Sequence, residues 1–109
     1  MKLIVAIVQD EDASRLINRL MDEGFGVTKM ATTGGFLRAG NVTLLVGVDD
    51  NKVEQALGLI EKMSKARTQM TTAPTAMASM TGTYSPYPVE VMVGGATVFV
   101  LPVEAFYKY

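Results

Sequence analysis

Residues 3–24 read LIVAIVQDEDASRLINRLMDEG, an aliphatic run that passes through an acidic turn into an amphipathic segment. From Leu3 to Val8 the residues are aliphatic or β-branched, which is typical of a strand covered on both faces. Asp10 to Asp12 supply a helix N-cap and first-turn acids, and Gly24 ends the helix. The apolar positions of this helix follow a period of 3.6 residues and are Ala13, Leu16, Ile17, Leu20 and Met21. The stretch predicts a strand followed directly by a helix.

The next segments predict two further strands and a second helix. Val27 to Thr33 is expected to be a strand, residues 34–40 a loop, and Asn41 to Val48 a strand that forms a hairpin with the previous one. Asp49 or Asp50 is expected to cap the second helix. The predicted buried stripe of that helix is Val53, Ala56, Leu57, Ile60 and Met63.

The remaining residues predict a long loop and two strands. From Arg67 to Pro88 the sequence is rich in Thr, Ala, Met, Ser and Pro and has no sustained period, so a mobile loop is expected over 67–87. Unstructured inserts of this length are uncommon unless they have a function. Val89 to Val93 and Ala96 to Leu101 are apolar and β-branched, and Gly94-Gly95 between them is typical of a two-residue hairpin.

This order of elements predicts an α+β fold. It reads β-α-β-β-α-β with the last strand doubled into a hairpin, the pattern of a ferredoxin-like sandwich, in a single domain over residues 1–109. Helices would cover one face of the sheet. The strands are more apolar than one covered face requires, so the open face is expected to meet another subunit. The alternative is that scattered exposed apolar residues have no partner.

Composition and charge argue against several functions. Ten basic and eleven acidic side chains give a net charge of −1, which does not attract nucleic acid. Histidine and cysteine are absent, which removes Ser-His-Asp and Cys-His nucleophilic sites and the usual zinc sites. No P-loop or Rossmann glycine pattern is present, so we expect no enzyme, no metal and no cofactor. The first apolar run is too short to span a bilayer, which predicts a cytoplasmic protein without membrane contact.

One glycine-rich segment is suited to a nucleotide. Residues 32–41 read TTGGFLRAGN, in which glycines allow close approach of a ligand and Arg38 can donate to phosphate oxygens. Phe36 can cover a nucleobase, and Asn41 offers both a donor and an acceptor to an adenine edge. The alternative is an ordinary hairpin loop with Phe36 folded onto the core.

Three separated motifs make the whole chain resemble a known family. The segment above, IVQD at 7–10, and PYPVEV at 86–91 followed by VGGATVFV at 93–100 resemble the PII-like receptors for cyclic di-AMP. The resemblance implies a homotrimer of ferredoxin-like subunits that binds cyclic di-AMP in each cleft between neighbours, without catalysis. It also implies mobile loops that signal to a target protein, which stays unidentified.

The resemblance also implies a set of ligand-binding residues: Thr28, Gly35, Phe36, Leu37, Asn41, Gly47 and Phe99. Phe99 taken alone fits a core position equally well. Some relatives carry polar or basic side chains before the second strand and a glutamine near the C-terminus, where this chain has Gly24, Gly26 and Lys108.

The positions that depart from the family pattern put the affinity for cyclic di-AMP in question more than the identity of the ligand. Lys29, Arg38 or Lys108 can compensate for the missing basic group. Two alternatives stay open. One is a structural or protein-docking subunit whose glycine loop binds a protein, and the other is an enzyme that acts on nucleotides through Asp or Glu with Mg²⁺.

Overall fold

The computed structural model describes residues 1–30, 40–72 and 88–109. In chain order, with a short 3₁₀ turn at Asp50–Lys52 before the second helix, the elements are β1 (Lys2–Gln9), α1 (Asp10–Asp22), β2 (Gly26–Met30), β3 (Asn41–Val48), α2 (Val53–Ser64), β4 (Arg67–Thr72), β5 (Pro88–Val93) and β6 (Ala96–Pro102). The predicted bounds of β3 are confirmed, and β1 contains the predicted Leu3–Val8 strand. β2 begins one residue before the prediction, and residues 31–33 of the predicted strand lie outside the described residues.

A four-stranded antiparallel sheet has the strand order β2-β3-β1-β6. β1 lies in the interior, pairing with β3 on one side and β6 on the other, as the aliphatic run predicts. The predicted hairpin of β2 and β3 is present, with Thr28 opposite Leu45. Two helices and antiparallel sheets in this order form a mixed α+β domain that is consistent with a ferredoxin-like fold.

The hydrophobic core lies between the two helices and one face of this sheet. Burial alternates along β1, because successive side chains of a strand point to opposite faces. The buried apolar residues from the strands are Ile4, Ala6, Val8, Leu44, Val46 and Val48, and those from the helices are Ala13, Leu16, Leu20, Ala56 and Ile60. Met21 was expected in the buried stripe but is 57% exposed, because it lies about 100° around the helix from Leu20.

The predicted hairpin of the last two strands is wrong. β5 pairs with β4 in a separate two-stranded ribbon, with Arg67 opposite Val93, whereas β6 pairs with β1. Gly94 and Gly95 both have positive φ, +80° and +102°, and they carry the chain from the ribbon into the main sheet. The glycine pair therefore connects β5 to β6 through a turn, but the two strands do not pair with each other.

The predicted loop over 67–87 is corrected at its start, where residues 67–72 form β4. The side chains described in this strand, from Arg67 to Met70, are exposed or half-buried, so the segment lacks the apolar alternation that marks a strand packed on a core. Residues 73–87, and residues 34–39 of the other predicted loop, lie outside the described residues.

The predicted aspartate caps are also wrong. Gln9 is the N-cap of α1, and neither Gln9 nor any aspartate of the first turn caps this helix through its side chain. Asp49 precedes the 3₁₀ turn, where its backbone carbonyl, rather than its carboxylate, accepts a hydrogen bond from Lys52 at 2.9 Å. Asp12 is instead fully buried, and its carboxylate is paired with arginine.

Candidate ligand-binding face

The face of the four-stranded sheet that the helices leave open carries every predicted ligand residue that the structure describes. Register places Thr28, Leu45, Val5 and Phe99 side by side in one row across β2, β3, β1 and β6. These side chains belong to the less buried set of each strand. The central part of the row is apolar and its two ends are Thr28 and Phe99.

A cavity of about 660 Å³ opens at one end of this face. Thr28 and Gly47, two of the predicted ligand residues, line it, and Gly26 lies opposite Gly47 in the strand register. A Cβ atom at Gly47 would lie 3.6 Å from the Met1 side chain, an ordinary contact, so the glycine is not required by packing. Because Gly47 has no side chain, the floor of the cavity stays open at this position. The volume suits a small organic ligand.

The chain's last residues form the other wall of this cavity. Phe106, Tyr107 and Lys108 line it together with Val103, which follows β6. The Tyr107 ring stacks on the Tyr109 ring at a centroid distance of 6.3 Å. Sequence reasoning did not assign Phe106 and Tyr107 to the site. The available signal was the density of aromatic residues at positions 106–109, which lie beyond the last strand and so have no core to fill.

Asn41 lies at the opposite end of the face. It is in register with Gln9, and both line a second cavity of about 330 Å³ together with Gly94 and Thr97. Gly47 is six positions after Asn41 on β3, which places them about 20 Å apart. The structure therefore divides the predicted residues between two cavities, one containing Thr28 and Gly47 and the other containing Asn41.

Phe99 is not a core residue, because its side chain is 53% exposed on the open face. It stands on β6, three strand spacings from Thr28 on β2, a separation of about 14 Å. The two residues do not meet in one subunit. Gly35, Phe36 and Leu37 lie outside the described residues.

The Asn41 end of the face adjoins a polar junction between α1 and the ribbon. The Gly94 N–H donates to Oε1 of Gln9 at 2.7 Å. Nη2 of Arg67 donates to Oδ1 of the buried Asp12 at 2.9 Å, and Arg15 donates to the same oxygen at 3.3 Å. The hydrogen bond to Asp12 raises the pKa of Arg67 above its usual range.

Residues 1–30, 40–72 and 88–109 contain no group of three or more acidic, histidine or cysteine side chains arranged to hold a metal ion. Neither of the two described helices has the length and apolar character needed to cross a bilayer.

Comparison with known proteins gives matches over the whole chain. The family model described as cyclic-di-AMP receptor matches residues 1–109. Among solved structures, a functionally unknown protein from Pediococcus pentosaceus ATCC 25745 is 41% identical, with a TM-score of 0.79. That match covers 99% of this chain and 96% of the other.

Proposed function

Since the chain belongs to the cyclic-di-AMP receptor family, we propose that it is a signalling protein that binds cyclic di-AMP between the subunits of a homotrimer and thereby regulates a target protein. The observation that carries this proposal is the family match over residues 1–109. The open sheet face supports the proposal, because a cavity there is lined by Thr28 and Gly47, two of the predicted ligand residues.

The separation of Thr28 from Phe99 argues for a site shared between subunits. Thr28, which lines the cavity together with Gly47, is about 14 Å from Phe99 of the same chain, given the strand spacing, and Phe99 is not among the residues that line this cavity. Phe99 of a neighbouring subunit reaches a ligand in this cavity if the open faces pack around a common axis. The exposed Phe99 and Leu101 side chains are then covered on assembly, which favours association.

The cavity lining matches the chemistry of a cyclic dinucleotide. Phe106 and Tyr107 offer aromatic surface to a base, and the Thr28 hydroxyl can hydrogen-bond to a polar ligand atom. Lys108 supplies a positive charge for a phosphate at the wall of the same cavity. Lys108 thereby compensates for the absence of a basic side chain at Gly26.

The signal is proposed to pass through residues 34–40 and part of 68–86. Cyclic di-AMP changes the conformation of these segments, and the altered surface docks the target. Ligand binding shifts such an equilibrium only by its difference in affinity for the two states. Hydrogen exchange at saturating ligand tests this step, and unchanged exchange in both segments would contradict it.

Calorimetric titration with cyclic di-AMP tests the proposal, with ATP and cyclic di-GMP as controls at the same ionic strength. We expect selective binding of one ligand per subunit and a sedimentation coefficient of a trimer. Binding of no nucleotide, together with an unchanged melting temperature, would contradict the proposal and favour a protein-docking subunit.

Two further observations separate the alternatives. In Phe36→Ala we expect loss of cyclic di-AMP binding, whereas a docking subunit would lose its protein partner without ever binding nucleotide. Ligand recovered intact after hours with the protein and Mg²⁺ is the expected result for a receptor. Turnover of the nucleotide would instead indicate an enzyme.

A further inference from the structure

Gln9, the last residue of β1, contacts two parts of the molecule that are distant in sequence. On one side it is the register partner of Asn41, the first residue of β3. On the other side its Oε1 accepts a hydrogen bond from the Gly94 N–H at 2.7 Å, at the end of β5. One side chain therefore lies between the Asn41 end of the open face and the base of the ribbon.

The residues after Gln9 also contact both the start of β3 and the ribbon. The Asp10 N–H donates to the Gly40 carbonyl at 2.6 Å, directly before β3. The buried Asp12 accepts from Arg67 at the first residue of β4 at 2.9 Å. The β1–α1 junction, defined here as Gln9 to Asp12, thus holds Gly40 on one side and both strands of the ribbon on the other.

The ribbon has few other attachments to the body of the domain. Within the described residues, β4 and β5 pair only with each other and share no strand pairing with the four-stranded sheet. Besides the junction, the backbone of Gly95 donates to the Ser64 carbonyl at the end of α2. A two-stranded ribbon is marginally stable by itself. These polar contacts at its base therefore fix its orientation relative to the rest of the domain.

We infer that Gln9 is a positioning residue that couples ligand occupancy beside Asn41 to the conformation of the β4–β5 ribbon. This inference rests on the proposed function, in which cyclic di-AMP lies between subunits, and on the ligand contact of Asn41 that the family resemblance implies. Because Asn41 lies in a different cavity from Thr28 and Gly47, a ligand beside Thr28 of one subunit would meet Asn41 of a neighbouring subunit. Cross-strand neighbours such as Gln9 and Asn41 have Cβ atoms about 5 Å apart. A displacement of Asn41 on ligand binding therefore moves Gln9, and Gln9 moves Gly94 through its hydrogen bond.

The coupling has a thermodynamic counterpart that can be measured. If the ligand changes the ribbon's equilibrium, then fixing the ribbon changes ligand affinity by the same factor, typically about 5-fold to 150-fold. Both effects should decrease when the Gln9 acceptor is removed, because the hydrogen bond to Gly94 is lost while the Asp10–Gly40 and Asp12–Arg67 hydrogen bonds remain.

The experiment compares amide hydrogen exchange of residues 67–72 and 88–93 with and without saturating cyclic di-AMP. The test variant is Gln9→Leu, which removes the acceptor and keeps the side-chain size. Gln9→Glu retains an acceptor oxygen and should restore the response. The control is Gln55→Leu, the same substitution at an exposed glutamine of α2 whose side chain donates to Glu23.

We expect ligand to change ribbon exchange by about fivefold or more in the unmodified protein, in Gln9→Glu and in Gln55→Leu. Because Gln9 also lines the Asn41 cavity, the affinity of Gln9→Leu is measured first by calorimetry, and exchange is compared at a cyclic di-AMP concentration that saturates this variant. Under that condition the change in ribbon exchange should be smaller than in the unmodified protein. If Gln9→Leu does not fold, Gln9→Ala provides the same comparison without added apolar volume.

The possible failures are distinguishable. Binding of cyclic di-AMP without any change in the ribbon overturns the coupling and leaves the proposed function intact. A ribbon response in Gln9→Leu that is as large as in the unmodified protein overturns the assignment to Gln9. Absence of binding by the unmodified protein overturns the proposed function and the coupling together.

Discussion

Arg67 and Asp12, 55 residues apart in sequence, are joined by two hydrogen bonds: Nη2 to Oδ1 at 2.9 Å and Nη1 to Oδ2 at 3.4 Å. The Asp12 side chain is completely buried, whereas that of Arg67 is 38% exposed. The pair ties the first turn of α1 to the first residue of β4. Asp12, which the sequence predicts to be an acidic residue of the first helical turn, therefore makes a tertiary contact.

Asp12→Ala should lower the free energy of unfolding by about 1–3 kcal/mol, because it removes charge-assisted hydrogen bonds from a buried site. Urea denaturation measures the loss. Glu11→Ala is the matched control, since Glu11 is exposed in the same helical turn and shares any interaction with the helix dipole. We expect a change within about 0.5 kcal/mol for the control. Equal losses in the two variants would show that the Asp12–Arg67 pair contributes nothing specific.

Gly94→Ala should be more destabilising than Gly95→Ala. Both glycines have positive φ, so either alanine incurs a backbone cost of about 1–2 kcal/mol. At Gly94, however, the new Cβ would lie 2.6 Å from Nη1 of Arg67 and 2.7 Å from the Lys65 carbonyl oxygen, whereas at Gly95 nothing lies within 4 Å. Thermal unfolding of the two variants side by side measures the difference. If their melting temperatures fall equally, the close contact with Arg67 is easily relieved.

Gly47→Ala should weaken cyclic di-AMP binding by about tenfold or more, because a methyl group would enter the cavity beside Thr28. The fold should tolerate this change, since the nearest atom to the new Cβ is the Met1 side chain at 3.6 Å. Calorimetry measures the affinity. Gly58→Ala serves as a control on the exposed side of α2, where it should stabilise the helix by about 0.5–1 kcal/mol without altering binding.

Phe25→Ala should reduce stability, whereas Phe99→Ala should reduce ligand binding. Phe25 is 6% exposed and belongs to the core, so its truncation should reduce the free energy of unfolding by about 3–5 kcal/mol. Phe99 is 53% exposed, so its truncation should leave the subunit folded while weakening cyclic di-AMP binding by about tenfold. Circular dichroism, calorimetry and sedimentation distinguish the two results. Unchanged ligand affinity and assembly in Phe99→Ala would argue against a role for this residue between subunits.

Most of the four-stranded sheet could be predicted from local patterns. β1 and β3 were recognised because they carry dense aliphatic runs, and α1 because its apolar residues follow the helical period. β4 was missed because its described side chains do not alternate between a core and solvent. The predicted pairing of β5 with β6 was wrong, because a Gly-Gly pair predicts a turn but does not indicate which strand pairs with the strand before it.

The sequence motifs named residues of the candidate site but did not indicate which of them lie together. Thr28 and Gly47 line a common cavity, while Asn41 lies at the other end of the sheet. Phe106 and Tyr107 were missed, because their contribution depends on how the segment after β6 folds back beside Gly47.

Local sequence patterns were sufficient to predict β1, β2, β3 and both helices, because these elements depend on residues that are close together in the chain. The family could be identified from three motifs in a fixed order. The tertiary structure alone decided that β6 pairs with β1, that Asp12 is buried against Arg67, and that Thr28 and Phe99 stand at opposite edges of the sheet. Each of these depends on contacts between distant segments. Such contacts are selected by the burial and hydrogen bonding of the whole fold, which no local periodicity encodes.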